Sequence, residues 1–404
     1  MKSLFLKMFV GVVAGASAAS ALSLYDTAPV VGLPESHVAQ YFFTLNGGYD
    51  TNPSGATERK TKEAGEYVNA SFSASFADNE SIDKMSCSAR LGGTHYLGSP
   101  TGNGRKYYSD SSLDATLSHA FSAMSRYTGS IHLSYLPEPG YDNGYSSAGM
   151  QGDTLSWNFN NSYSEAIDAR WSWNAGANVS GTKYSERTYS YDDRQYYSAS
   201  LGLNYRDSDR LTYTSSASCR YESRSYGLNS QSLFVSGGVQ LALDPVSSAS
   251  VSVGAQCKLM AHKSTGNPTL DAGYRRRVSD GLSLNAYVKY SDENVDNYSR
   301  STDSSYRSSA TWRIGAYGTY VLSPDVSYIF RIQSMLTGYD KSTSASMATS
   351  KRMSLNPSVT MQYNFTPKIQ GNVMAEYTYY CYERGSAESK YTRWKLSAGL
   401  SYRF

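Results

Sequence analysis

The 404-residue chain is short of charge, of cysteine and of long hydrophobic runs. Each shortage removes a class of protein. A membrane-crossing helix needs about 18 or more consecutive apolar residues, and nothing after residue 21 approaches that. Helical spans are therefore excluded. Charged residues make up 18% of the chain and the formal net charge is +3. Lysine and arginine are scattered, without the clustered basic footprint of a nucleic-acid binder. Four cysteines and five histidines complete the scarce chemistry. No pair among His37, His95, His119, His132 and His262 has metal-ligand spacing, and no cysteine stands beside them. His132 alone invites a serine–histidine hydrolase reading, but serine is so abundant that a chance neighbour is expected. The stretch Asp292-Glu293-Asn294-Val295-Asp296-Asn297 has a calcium-loop look. It lacks the turn glycine, puts Arg300 among the ligand positions and has strands as flanks, so it reads as a solvated acidic loop. No catalytic residue, cofactor or metal site is assigned, and the chain reads as a non-enzyme.

What is abundant is tyrosine, with 37 residues, within an aromatic content of 13%. That argues against disorder, which is depleted in aromatics. At the N-terminus, Lys2 and Lys7 flank an apolar stretch from Leu4 to Ala14, followed by the small-residue sites Ala16-Ser17-Ala18 and Ala19-Ser20-Ala21. This is the pattern of a secretory signal peptide over residues 1–21. The first cysteine is Cys87, so a lipid-anchored N-terminus has no support. Residues 22–38, with Pro29 and Pro34, read as a short periplasmic lead-in, too small to plug a large gated transporter.

From residue 39 to 404 the side-chain period is two. Val68, Ala70, Phe72, Ala74 and Phe76 alternate with Asn69, Ser71, Ser73 and Ser75, and the same alternation returns through 282–291 and 352–365. Only strands sort residues in this way. Pro357 breaks one such run without an evident reason in the sequence. Tight-turn chemistry recurs at 77–81, 122–125, 164–167, 207–209, 244–247, 279–281, 323–325 and 366–368. Longer polar connections, such as 136–153, 185–193, 292–305 and 340–351, lie between them. The pattern predicts about 18 antiparallel strands, with 16 as the alternative, closed into a transmembrane β-barrel in the bacterial outer membrane. A soluble sandwich of that many strands would leave open edges. Aromatics near strand ends, Tyr41, Phe43, Tyr49, Tyr197, Tyr205, Tyr377 and Tyr379, fit interfacial girdles.

The final strand ends on Leu396, Ala398, Leu400, Tyr402 and Phe404, all on one face. This resembles the C-terminal signature of bacterial outer-membrane β-barrel proteins, which implies the barrel-assembly machinery as a partner besides outer-membrane lipid. Gly47-Gly48-Tyr49-Asp50-Thr51-Asn52-Pro53 reads as a strand end opening an external loop. It also resembles the G-Y-D-x-N pattern at the first strand of the β-barrel porin type 2 family. That resemblance covers only the start of the chain, implies a pore-like barrel and transfers no catalytic residue.

Cys87, Cys219, Cys257 and Cys381 all sit on the apolar phase of strands 3, 9, 11 and 17. None of these strands is adjacent to another, so disulfides are out of reach and free thiols facing lipid are expected. The polar phase carries Lys84, Arg90, Arg220, Lys258, Arg275, Lys289, Arg313, Arg331, Arg393 and Lys395, with Arg126, Arg170, Arg210, Arg277, Arg352 and Arg403. Only Asp114, Asp271 and Glu376 oppose them, the other acids crowding the loops. Two function classes follow. One is a porin-like passive diffusion channel for small hydrophilic solutes, with anions favoured by the basic lumen. The other is a closed barrel acting as a structural or adhesion protein through its external loops. Assembly into a homo-oligomer stays open, because no sequence feature selects it.

Overall fold

Alternation makes strands, and strands without an edge make a closed wall. The computed structural model describes residues 39–53, 64–78, 83–98, 106–136, 153–185, 193–225, 229–260, 263–292, 309–339, 349–384 and 387–404. They form one antiparallel sheet. Its strands run β1 (Gln40–Asp50), β2 (Gly65–Asp78), β3 (Asp83–Tyr96), β4 (Tyr107–Ser109), β5 (Ser111–Ala120), β6 (Ser125–Leu136), β7 (Thr154–Ala166), β8 (Trp171–Tyr184), β9 (Arg194–Arg206) and β10 (Leu211–Arg224). They continue with β11 (Ser230–Asp244), β12 (Ser247–Met260), β13 (Lys263–Ser279), β14 (Leu282–Asp292), β15 (Ser309–Ser323), β16 (Val326–Tyr339), β17 (Thr349–Thr366), β18 (Ile369–Arg384) and β19 (Ala387–Arg403). Each pairs with its sequence neighbours, and β4 and β5 pair in one register with β3 as two halves of a single strand interrupted at Asp110. The wall is therefore an 18-strand barrel, closed by β1 against β19. The count matches the sequence expectation of 18, not the alternative of 16.

The seven short turns among the described residues and the start of β1 lie at one end of the barrel. The turn between β7 and β8 falls at residues 167–170, later than the turn chemistry at 164–167 suggested. There the Asp168 carboxylate accepts the backbone N–H groups of Trp171 and Arg170, each at 2.7 Å. Those bonds, that of Trp171 foremost, hold its pKa below the ordinary aspartate value. The stability they bring is present at neutral pH and lost as pH falls through that lowered value. At the opposite end the connections are less uniform than expected. Only residues 261–262 separate β12 from β13, and 385–386 separate β18 from β19, because both hairpins run on as paired strand.

A closed sheet has an inside and an outside, and β1 shows which row is which. Gln40, Phe42, Thr44, Asn46 and Asp50 are buried while Tyr41, Phe43, Leu45 and Tyr49 are exposed. Register carries that phase round the barrel, so Leu, Val, Ile, Phe, Trp and Tyr form the outer surface and Ser, Thr, Asn and Gln dominate the inner one. Outward aromatics pair near both rims. Trp171–Tyr205 and Tyr320–Tyr328 lie toward the short-turn end; Tyr197–Tyr221, Tyr290–Trp312 and Tyr377–Trp394 lie toward the other. The apolar band between them is what a bilayer requires of a barrel.

Closure joins the two ends of the sequence. Leu396, Ala398, Leu400 and Tyr402 stand opposite Tyr49, Gly47, Leu45 and Phe43, and the Phe404 N–H donates to the Tyr41 carbonyl at 3.0 Å. On the inner side Asp50 and Arg393 form a buried pair, Nε to both carboxylate oxygens at 3.0 Å and Nη2 at 2.5 Å. The side chains are 0% and 1% exposed. Thr51 Oγ1 accepts the Trp394 N–H at 2.8 Å, and Asn52 donates from its backbone to Asp50 and from its side chain to the Thr392 carbonyl. At Gly48 a Cβ would strike the Tyr67 ring and the Leu396 carbonyl, so only glycine fits. The G-Y-D-x-N stretch thus fastens the seam, a role its loop-like composition concealed. Pro357 also acquires a reason. The β17–β18 register skips Asn356 and Pro357, and the Asn356 amide donates to the Tyr377 carbonyl at 3.4 Å. That bond stands in for the N–H that proline lacks.

Two outcomes follow. Removing one partner of a buried ion pair costs about 3–5 kcal/mol, so Asp50→Ala should lower the temperature at which the folded band is lost in heat-modifiability gels, while an exposed outer-rim substitution such as Lys183→Ala should not. The four cysteines are free and on the outward phase of β3, β10, β12 and β18. Bilayer-soluble maleimides should therefore label them in vesicles and charged thiosulfonates should not; finding two disulfides would contradict this register.

Candidate functional site

The candidate site is the inner wall. Cross-strand register places Lys84 and Arg90 on β3, Arg220 on β10, Lys258 on β12, Arg275 on β13, Lys289 on β14, Arg313 on β15, Arg331 on β16, and Arg393 and Lys395 on β19, all in the inward row. Exposure then divides them. Arg90, Lys258, Arg393 and Lys395 are 9%, 2%, 1% and 2% exposed. They meet polymer, not open water.

Their partners show why. Arg90 Nη2 lies 2.6 Å from Asp110, whose other neighbour is the Asn69 amide at 2.9 Å. Asn69 also donates to Thr94 Oγ1 at 3.0 Å, so the network ties β2 and β3 to the break between β4 and β5. Beside it Tyr67, Tyr96 and Tyr108 pack into a buried aromatic cluster. Arg393 is committed to Asp50. Lys395 faces Glu376 across the β18–β19 ladder and holds its ammonium 5.4 Å from the Tyr67 ring centroid. Lys258 Nζ is 3.5 Å from Asp292, an acid that the sequence places in an outer loop. The β13–β14 ladder stops at Leu270–Tyr290, and Asp292 turns inward beyond it. Its carboxylate accepts from Asn267 at 2.8 Å, while Gln256 bonds both its N–H and its carbonyl.

The burial is lopsided. Along β17, β18, β19, β1 and β2 the inward row is buried over most of its length: Gln362, Asn372, Met374, Glu376, Thr378, Ser397, Ser401, Thr44, Asn46 and Ser71 among them. On β10, β13 and β14 the inward row is open, with Arg220, Asp271, Arg275, Arg277 and Lys289 exposed and Arg313 and Arg331 half-buried on the strands that follow. Water in the lumen therefore borders one side of the barrel. On that side the cations outnumber the acids. Lys289 is 3.2 Å from Asp271, both about half-exposed, whereas Arg275 and Arg277 have no acidic partner among the described residues. Lys289 and Arg313 stand directly opposite each other, two like charges that a wall built only for stability would avoid.

Several inward charges escape sequence reading. Asp50, Asp110 and Glu222 join Asp114, Asp271 and Glu376 on the inner face, as does the inward-turned Asp292, so the wall is less one-sided than strand phase alone suggests. Asp50, Asp110 and Asp292 lie at strand breaks or ends, where alternation is too short to assign a face. Arg194, Arg206 and Arg224 also fall in the inward row. Arg170 and Arg210 lie in the short turns instead. His132 is on the inner wall, as expected, but its partner is Asp114, Nδ1 to Oδ1 2.6 Å, on the adjoining strand. Among the described residues no group of His, Cys, Asp and Glu could hold a metal. The 137–152 connection and residues 293–308 lie outside the described residues.

No protein-family model and no curated protein sequence matches the chain. Solved structures with a similar course include OpdK of Pseudomonas aeruginosa with vanillate, at 10% identity and TM-score 0.47, covering 91% of this chain and 100% of that one. Pseudomonas aeruginosa OpdQ is similar at 11% identity and TM-score 0.45, covering 91% and 97%. The siderophore receptor PirA of Acinetobacter baumannii is similar at 7% identity and TM-score 0.47, covering 93% and 81%. At these identities the likeness is one of fold alone.

If the open side is the conducting surface, charge there matters and charge at the seam does not. Arg275→Glu, which turns +1 into −1 in open water, should move the reversal potential in a potassium chloride gradient toward the potassium value. Lys395→Met, in the covered wall, should leave it within error of the parent.

Proposed function

We propose that the chain is an outer-membrane channel through which small hydrophilic solutes diffuse passively, with anions favoured. The observation that carries this is the exposed cationic side of the lumen, where Arg220, Arg275, Arg277 and Lys289 face water while Asp50, Asp110, Glu222 and Asp292 are buried. Rings and rows of basic side chains concentrate anions in a pore. An 18-strand wall is wide enough to hold water. Export through residues 1–21, a periplasmic lead-in over 22–38 and delivery by the barrel-assembly machinery belong to the same reading, supported by the N-terminal residue pattern and the outward C-terminal row. The likeness of Gly48 to Asn52 to the β-barrel porin type 2 pattern supports a pore-like family. The neighbour solved with vanillate is an outer-membrane protein met with an anionic solute, which agrees with this direction.

A second reading, a closed barrel serving adhesion or structure through its external loops, draws on the covered inward row along the seam. Planar-bilayer recording of the purified protein separates the two. The channel reading expects discrete steps in potassium chloride and a reversal potential on the chloride side. A silent membrane favours the closed barrel, and a cation-side potential rejects the anion preference.

A further inference from the structure

We propose that Arg220 is a binding station on the open wall for flat anions, carboxylates borne on an aromatic ring; this rests on the channel reading above. Arg220 stands on β10 between Ser198 of β9 and Ser232 of β11. Its guanidinium carbon lies over two rings at once, 5.7 Å from the centroid of Tyr196 and 5.8 Å from that of Phe234. In the register these rings flank it diagonally. Tyr196 is opposite Glu222, two residues toward the outer rim, and Phe234 is opposite Ser218, two residues toward the short turns. The Tyr196 hydroxyl accepts from Arg194 at 3.0 Å, which helps to fix that ring.

The nearby carboxylate is already taken. Glu222 receives Arg224 Nε at 2.6 Å and the Ser230 hydroxyl at 3.4 Å. Arg220 has no ion-pair partner among the described residues, and it is exposed. It is thus a cation held in place by ring faces with its donors left for a visitor. A guanidinium presents a planar fork suited to a carboxylate and is weakly hydrated. The adjoining ring faces offer apolar surface to whatever that carboxylate is attached to. Loose cations elsewhere on the wall enrich every anion alike. Here shape enters, because an aromatic solute ring gains offset or edge contacts worth about 0.5–1.5 kcal/mol beyond its buried area.

The test compares benzoate with cyclohexanecarboxylate, equal in charge and close in size but puckered. With the full-length protein in planar bilayers, benzoate should half-block the potassium chloride current at a concentration roughly three- to tenfold lower. Phe234→Leu should reduce that ratio below about twofold, as should Arg220→Lys, which keeps the charge but not the fork. Both variants must first retain the folded band in heat-modifiability gels. Equal block by the two acids in the parent protein, or an unchanged ratio in Phe234→Leu, overturns the station and leaves the channel standing. If no potassium chloride current appears, the channel reading fails instead. Saturation-transfer NMR of the two acids on the detergent-solubilised barrel then decides the station, with stronger transfer to benzoate in the parent than in Phe234→Leu supporting it and equal transfer overturning it.

Discussion

The ladder between the first and last strands is the constraint on which the rest depends. In hydrocarbon no water satisfies a bare N–H or carbonyl, so a sheet survives there only if it has no edge. The β1–β19 pairing meets that demand, and the chain invests unusual chemistry in it: a fully buried bidentate ion pair, a threonine and an asparagine bonded to the last strand, and a glycine that lets a tyrosine ring lie over the junction. Burying two charges is costly unless they are paired well. At a seam between residues 343 positions apart, such a pair also discriminates the native register from slipped ones, where Arg393 would be left buried alone.

Closure creates the two surfaces, and the two surfaces create the function. Outside, apolar side chains and rim aromatics meet lipid. Inside, the seam half of the wall is spent on stability, with networks around Arg90 and Arg393 that are neutralised out of contact with water. From β9 to β15, Arg220, Arg275, Arg277 and Lys289 stay in water, while Arg194, Glu222 and the Lys258–Asp292 pair are covered there as well. Covered and open charges thus follow the sector of the wall only in part, and arginine is found in both settings.

Much of this was legible in the residues. Strand number, the outward phase of all four cysteines, the outward terminal row ending in Phe404 and the inward phase of ten cations follow from alternation and turn chemistry, because a period of two leaves no freedom once one face is apolar. Less legible were the places where alternation lapses. Asp50, Asp110 and Asp292 sit at strand ends or breaks, and their composition reads as loop. Pro357 looked like a fault until the Asn356 amide was seen to replace its missing bond.

What the sequence by itself determined is therefore local and periodic: strands, their faces and a sheet that must close in a membrane. What only the tertiary structure decided is which inward charges see water. That depends on partners brought alongside by the barrel, Asp50 for Arg393 and Asp292 for Lys258, and on two rings set diagonally about Arg220 by strands on either side. Alternation tells a side chain which way to point, but its hydration is set by neighbours on other strands, and their register is a property of the closed sheet.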